Sequence, residues 1–68
     1  MTLKEMFLGM PASERSRMFL TVKEAASILA KKASSVRRMI DEDKLKGVKV
    51  GGTWWVYRPS LEELVQDS

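Results

Sequence analysis

The chain has 68 residues, a mass of 7.7 kDa and a formal net charge of +3. A chain of this length forms one domain and buries roughly 60% of the surface that its unfolded form exposes. It contains no cysteine and no histidine, which excludes disulfides, thiol chemistry and the commonest metal ligand and general base. Most enzyme mechanisms are therefore excluded, and we expect neither a cofactor nor a metal site.

The sequence also lacks the patterns of exported and membrane proteins. No apolar run approaches the roughly 20 residues that a membrane span requires. Lys4 and Glu5 interrupt the apolar residues near the start, so this segment does not have the pattern of a secretory signal. We therefore expect a cytoplasmic protein with no membrane partner and no small-molecule substrate.

The basic side chains concentrate in the middle of the chain. Residues 21–58 contain nine basic and four acidic side chains, a net charge of +5, whereas residues 59–68 carry −3. A segment with this excess of cations is attracted to a polyanion such as DNA. The same excess also fits a solvated surface, so the position of the cations in the fold decides between the two interpretations.

The first 19 residues are predicted to form a short extension. Thr2 and Glu5 have the T-x-x-E pattern of a capping box, which predicts a helix that ends near Gly9. The apolar residues of this helix follow helical spacing (Leu3, Met6, Phe7, Met10). Residues 11–19 show no clear period and leave helix and loop open. The apolar face of the first helix requires a partner elsewhere in the chain.

A pair of short helices is predicted next. Thr21 and Glu24 form a second capping box, and the helix that follows carries its apolar residues on one face (Val22, Ala25, Ala26, Leu29). The period breaks over residues 30–33, after which Ser34 or Ser35 can cap a second helix. The predicted buried face of that helix consists of Val36, Met39 and Ile40. Two short helices joined by a brief turn are typical of a helix-turn-helix.

A β-hairpin and a closing helix complete the chain. Apolar and polar residues alternate over residues 48–50, Gly51-Gly52 allows the positive φ of a tight turn, and residues 53–57 form a β-rich returning strand. Ser60 and Glu63 supply a cap for the last helix. The predicted buried stripe of that helix is Leu61, Leu64 and Val65.

The predicted order of helix, turn, helix, two-stranded wing and helix is that of a winged helix-turn-helix. The fold class is thus mainly α with a small β-hairpin, and the predicted domains are an N-terminal extension (1–19) and a winged helix-turn-helix (20–68). Two motifs stand out, T-V-x-E-A-A at residues 21–26 and V-x-V-G-G-x-W at residues 48–54. With these motifs, residues 20–65 resemble the excisionase-type DNA-binding domain family, which is related to the MerR-type winged helices.

The resemblance implies that the second helix of the pair enters the major groove of DNA and that the wing reaches a neighbouring minor groove or the backbone. The helix and turn residues expected to contact DNA are Lys31, Lys32, Ser34, Ser35, Arg37 and Arg38. The wing residues expected to contact DNA are Lys49, Gly51, Gly52 and Thr53. Of the helix residues, the two arginines are expected to reach guanine edges, while the lysines and Ser34 hold phosphates.

The sequence departs from the family's pattern at several positions. Ala30 replaces a glycine usual in the turn, and Asp43 replaces a glycine usual after the second helix. Lys31 and Lys32 stand where the family has an apolar residue and a capping serine. Thr53 replaces the basic residue usual at the wing tip, so we expect the helix to contribute more to DNA binding than the wing.

The order of charges along the second helix supports DNA contact. Arg37 and Arg38 lie near its start and the acidic run 41–43 near its end, the reverse of the order that the helix dipole favours. The alternative is a solvated face on which the arginines pair with Asp41 and Glu42, each pair contributing about 0.3–0.5 kcal/mol. We favour DNA contact because the positive end of the helix and the cations then act together on one anion.

Trp54 and Trp55 are adjacent in the returning strand, so they point to opposite faces of the sheet. A three-residue loop over residues 51–53 buries Trp54 together with the valines of the hairpin (Val48, Val50, Val56), whereas a two-residue Gly51-Gly52 loop buries Trp55. The resemblance favours burial of Trp54. For Trp55 three roles stay open: contact with the DNA backbone, a surface for a partner protein, and, as we prefer, a place under the N-terminal segment.

We therefore expect a non-enzymatic, sequence-specific DNA-binding protein of phage or mobile-element type, in the bacterial nucleoid or the phage-infected cell. The expected role is that of an excisionase, which sets the direction of recombination. The expected partners are double-stranded DNA and, in addition, a recombinase or a second copy of the chain bound cooperatively. The alternatives are a small transcriptional regulator of the same fold and a protein–protein adaptor, which the acidic run 41–43, Thr53 and Trp55 support.

Overall fold

The computed structural model describes residues 2–66, and within them the chain forms five helices and three strands. In chain order these are α1 (Leu3–Gly9), α2 (Ala12–Met18), β1 (Phe19–Thr21), α3 (Val22–Leu29), α4 (Ala33–Asp41), β2 (Gly47–Val50), β3 (Thr53–Tyr57) and α5 (Arg58–Gln66). This is the predicted mainly helical winged helix-turn-helix. The end of the predicted DNA-binding domain, Asp67 and Ser68, lies outside the described residues.

Both capping boxes predicted from the sequence are formed. The Thr21 hydroxyl accepts a hydrogen bond from the backbone N–H of Glu24 (3.2 Å), and the Glu24 carboxylate accepts one from the backbone N–H of Thr21 (3.1 Å). Thr2 and Glu5 form the same box at the start of α1. Each box satisfies N–H groups that lack partners inside the helix. Between the two boxes α2 occupies most of residues 11–19, where the sequence left helix and loop open.

A left-handed residue other than glycine follows each of the helices α3 and α4. Ala30 has a φ of 55°, and the N–H of the following residue donates to the carbonyl of Ala26 (2.9 Å). Asp43 has a φ of 60°, and the following N–H donates to the carbonyl of Met39 (2.8 Å). These bonds form a Schellman motif at each helix end. Both positions thus keep a backbone conformation that glycine favours.

The helix α4 begins before either predicted cap. Its N-cap is Lys32 rather than Ser34 or Ser35. The backbone that leaves the preceding left-handed turn is already extended at Lys32, with φ −77° and ψ 153°, so the helix begins directly after it. The face of α4 that packs on the core is as predicted and consists of Val36, Met39 and Ile40.

The helix α5 also begins earlier than predicted, at Arg58. Ser60 lies within the helix rather than at its cap, and its hydroxyl accepts a hydrogen bond from the backbone N–H of Lys46 (3.0 Å). The predicted burial of Val65 is wrong, since this side chain is 45% exposed. Val65 lies at the edge of α5, where it lines an open groove with Ile28 of α3.

The strand β1 pairs with β3 and completes a three-stranded antiparallel sheet of order β1-β3-β2. The sequence predicted the β2–β3 hairpin alone. Phe19–Thr21 is too short to show a strand period, and its conformation depends on backbone pairing with residues 55–57, far along the chain. The predicted boundary between the extension and the DNA-binding domain falls within this strand.

The wing turns through two residues, Gly51 and Gly52, whose φ angles are 59° and 79°. Positive φ at both central positions is typical of a type I′ turn, whose twist matches that of the flanking strands. Val50 pairs with Thr53 across this turn. The three-residue loop considered from the sequence is therefore wrong.

The two tryptophans lie on opposite faces of the sheet, and both are half-buried. Trp54 and Val56 occupy the inner face, which packs on the core between α3, α4 and α5. Trp55 lies on the outer face, which α1 and α2 cover. Val48 pairs with Trp55, and Val50, two residues further along β2, lies on this outer face as well. The predicted grouping of these two valines with Trp54 is therefore also wrong.

The hydrophobic core lies between the inner face and the three helices of the winged helix-turn-helix. Its buried members are Leu20, Val22, Ala25, Ala26, Val36, Ile40, Leu45, Val56 and Leu61. The small side chains of Ala25 and Ala26 allow α3 and α4 to pack closely. This packing fixes the direction in which α4 presents its polar face relative to the wing.

Candidate nucleic-acid interface

The exposed face of α4 carries the two arginines predicted to contact DNA. Val36 and Ile40 are buried against the core, and the helical period turns Arg37 and Arg38 outward, where both are exposed. Ser34 is exposed on the same face. The side of α4 that points away from the core is thus a cationic surface.

Neither arginine is neutralised by an acidic neighbour within residues 2–66. The ion pair formed in this part of the chain joins Glu42 to Lys44, with N and O atoms 3.4 Å apart. Within the described residues, Arg37 and Arg38 therefore do not form the ion pairs with Asp41 and Glu42 that were considered as part of the solvated-face alternative. Their charges remain available to a ligand in solution.

The start of α4 adds a second cationic feature beside the arginines. No side chain caps this helix, so the backbone N–H groups of Ala33 and Ser34 have no side-chain partner at the positive end of the helix dipole. Lys31 and Lys32 precede the helix and are exposed, while Ser35 in the first turn is half-buried. An anion at this end would meet both the N–H groups and the lysines.

A groove of about 300 Å³ joins α4 to the wing. Arg37 lines one side of it, and Gly52 and Thr53 of the wing tip line the other. Trp54 forms part of the wall between them. Of the predicted DNA-binding residues, the groove brings together Arg37, Gly52 and Thr53. The lysines of the turn, Lys31 and Lys32, lie outside its lining.

Lys23 also lines the groove, and its cation was not among the residues predicted to contact DNA. Lys23 is exposed in the first turn of α3, two residues after the capping Thr21. Helical periodicity places it on the polar face of α3, but it does not indicate which polar face lies beside the wing. The packing of α3 against β3 supplies that information.

The remaining wing residues lie around the groove. Lys49 is exposed and pairs with Trp54 across the hairpin, on the inner side that faces the helices. Gly51 is exposed at the turn. The cation of the wing therefore lies on the same side of the sheet as α4.

Trp55 lies away from these residues. It is half-buried on the outer face, where its ring lies 5.3 Å from the ring of Phe7. This is the location under the N-terminal segment that we preferred from the sequence. Trp55 also lines a groove of about 350 Å³ with Arg15 of α2 and Val50 of β2.

The described part of the chain lacks two further features. In residues 2–66 no group of acidic side chains is arranged to hold a metal ion. Over the same range no helix has the length and apolar character needed to cross a membrane.

The comparison with protein families agrees with this architecture. The family model described as a helix-turn-helix domain matches residues 19–68. The family is associated with excisionase-like DNA-binding domains and is typically non-enzymatic. Comparisons with curated proteins and with solved structures found no match. The chain therefore belongs to the helix-turn-helix domain family, and this membership implies sequence-specific binding to DNA.

Proposed function

We propose that the protein binds duplex DNA through the start of α4 and the tip of the wing. The observation that supports this most is the exposed pair Arg37 and Arg38, which has no ion-pair partner within residues 2–66 and lies beside an uncapped helix start. In this arrangement the two guanidinium groups reach base edges in the major groove. Lys31 and Lys32, with the hydroxyl groups of Ser34 and Ser35, hold the flanking phosphates.

The wing and Lys23 extend this surface along the DNA. The groove between Arg37 and Thr53 is lined by groups that suit the backbone, namely one further cation and the open turn of the wing. We assign Lys23 and Lys49 to phosphates on the side where the wing meets the backbone, with Gly51, Gly52 and Thr53 at the closest approach. Thr53 adds no charge, so the helix contributes more of the electrostatic attraction than the wing.

The size of the protein bears on its biological role. Its longest dimension is 31 Å, which corresponds to about nine base pairs at ~3.4 Å per base pair. A single module of this kind buries roughly 600–1,000 Å² on DNA, which limits the specificity that one copy can reach. We propose that it acts together with a second DNA-bound copy or a recombinase, as an excisionase of phage or mobile-element type acting in the nucleoid.

The direct test is fluorescence anisotropy with a labelled mixed-sequence duplex of about 20 base pairs at several salt concentrations. We expect log K to fall with log salt at a slope of roughly −3 to −6, because several phosphates are neutralised. The double variant Arg37→Ala/Arg38→Ala should bind about tenfold or more weakly, since each arginine contact contributes ~1–3 kcal/mol. Lys4→Ala/Arg17→Ala removes the same charge from exposed positions outside the groove and serves as the control.

Equal losses in the two double variants would show that the effect follows net charge rather than the α4 surface. Absence of salt-dependent binding in the unaltered protein would contradict DNA binding and favour the adaptor hypothesis. Selection of bound sequences from a random duplex pool separates the remaining roles. Adjacent repeated sites support the excisionase proposal, and one isolated site favours a transcriptional regulator.

A further inference from the structure

The N-terminal extension covers the outer face of the sheet through aromatic contacts. Phe7 of α1 is only 4% exposed, and its ring packs edge-on against Phe19 with centroids 4.9 Å apart. The same ring lies 5.3 Å from that of Trp55, while Phe19 lies 5.4 Å from Tyr57. A continuous cluster of four rings therefore joins α1, β1 and β3.

Arg15 of α2 holds α1 in this position. Its Nε donates a hydrogen bond to the carbonyl of Phe7 (3.1 Å), and its Nη2 donates one to the carbonyl of Met10 (2.8 Å). Its guanidinium carbon also lies 4.8 Å from the centroid of the Phe7 ring. Two charge-assisted hydrogen bonds and a cation–π contact thus fix the end of α1 against the sheet.

The covered face belongs to the wing. Val50 is the last residue of β2 before the turn, and it lines the groove under Arg15 together with Trp55. The third strand, β1, pairs with residues 55–57 and does not extend to the turn, so the end of the hairpin near the turn is two-stranded. A two-stranded segment has little stability in water and gains it by packing on a further element. On the outer face the further elements are α1 and α2, and both precede the segment that the family model matches.

We propose that the extension is a brace that sets the position of the wing on DNA, and that Arg15 is its positioning residue. The inference rests on the proposed function, because it concerns how well the wing reaches the backbone. Arg15 does not touch DNA in this arrangement. It acts through Phe7 and Trp55 on the strands that carry Lys49 and the turn.

The test is a double-mutant cycle in DNA affinity with Arg15→Lys and the wing variant Lys49→Ala. Arg15→Lys keeps the charge but cannot make both hydrogen bonds in the same geometry. We expect it to weaken binding about tenfold, within the range found for contacting networks. In the Arg15→Lys protein, Lys49→Ala should reduce DNA affinity by a smaller factor than it does in the unaltered protein. Arg37→Ala should reduce DNA affinity by the same factor in both proteins.

Three further measurements distinguish positioning from other roles. The matched variant Arg17→Lys, on an exposed arginine of the same helix, should leave affinity unchanged. The salt slope of Arg15→Lys should equal that of the unaltered protein, because no phosphate contact is lost. Heteronuclear NOE values at Gly51 and Gly52 should fall in Arg15→Lys. If this variant does not fold, Phe7→Leu replaces it in every arm.

Unchanged affinity in folded Arg15→Lys, or losses that add independently with Lys49→Ala, would overturn the brace while leaving DNA binding in place. Failure of the unaltered protein to bind duplex DNA would instead overturn the proposed function. Failure of the brace is thus observed with the Arg15→Lys variant, and failure of the proposed function with the unaltered protein.

Discussion

Ala30 and Asp43 hold a backbone conformation that L-amino acids other than glycine adopt at a cost of roughly 1–2 kcal/mol. Glycine removes this cost but loses ~0.5–1 kcal/mol through its greater freedom in the unfolded chain. We therefore expect Ala30→Gly and Asp43→Gly each to raise the free energy of unfolding by about 0.5–1 kcal/mol, measured by urea denaturation. Ser27→Gly, at an exposed position inside α3, is the control and should lower it. Lower stability in Ala30→Gly would contradict the left-handed assignment.

Gly47 occupies a position where even a methyl group does not fit. A Cβ atom built there would lie 2.7 Å from Cδ1 of Ile40 and 2.9 Å from the carbonyl oxygen of Trp55. The side chain can shift, but the strand backbone cannot do so without loss of sheet pairing. We expect Gly47→Ala to lower the free energy of unfolding by about 1–3 kcal/mol in chemical denaturation. Gly9→Ala, where no atom lies within 4 Å of the added carbon, should not show this loss.

At the scale of secondary structure, the capping boxes stabilise the starts of α1 and α3, and this contribution can be measured. Thr21→Ala removes the hydroxyl that accepts the N–H of Glu24, and it leaves the first turn of α3 without its side-chain partner. We expect a loss of ~1 kcal/mol in the free energy of unfolding. Thr21→Ser keeps the hydroxyl and should retain most of the stability. Thermal melts of the unaltered protein and of both variants measure the two losses. A loss as large in Thr21→Ser would indicate that packing of the methyl group, rather than capping, is responsible.

The features predicted correctly from the sequence are local ones. The caps at Thr2 and Thr21 involve residues three positions apart, and the buried face of α4 follows from a single helical period. β1 depends on residues that meet only in the folded chain, so periodicity alone does not indicate it. The location of Trp55 under the N-terminal segment was predicted because the apolar residues of that segment require a partner, and not from periodicity. The predicted start of α4 is too late because it rests on the preference of serine for N-cap positions. The actual start follows the left-handed turn at Ala30, after which the backbone is already extended at Lys32.

The same division applies to the candidate interface. The exposure of Arg37 and Arg38 follows from the position of Val36 and Ile40 on the opposite side of the helix. Lys23 belongs to a different helix, and its place beside Arg37 depends on how α3 packs against the wing. A basic residue two positions after a capping threonine is the available signal, but it does not identify a shared groove.

At the scale of the whole molecule, the surface of the described residues has two sides of different charge. The start of α4, Lys23 and the wing form a cationic side, whereas the acidic residues Glu62 and Glu63 lie exposed on α5. We expect this arrangement to orient the cationic side toward a polyanion, with α5 directed away from it. The brace formed by α1 and α2 lies on the outer face of the wing and completes the structure that holds the cationic side in place.

The central claim is that the cationic side is the surface that contacts DNA. It is tested most directly by two-dimensional ¹H–¹⁵N NMR of the labelled protein during titration with an unlabelled mixed-sequence duplex. The account predicts that the largest amide shift changes map to residues 33–38, to Lys23 and to residues 51–53. Changes concentrated on α5 and on the groove between Ile28 and Val65, with α4 unaffected, would contradict it.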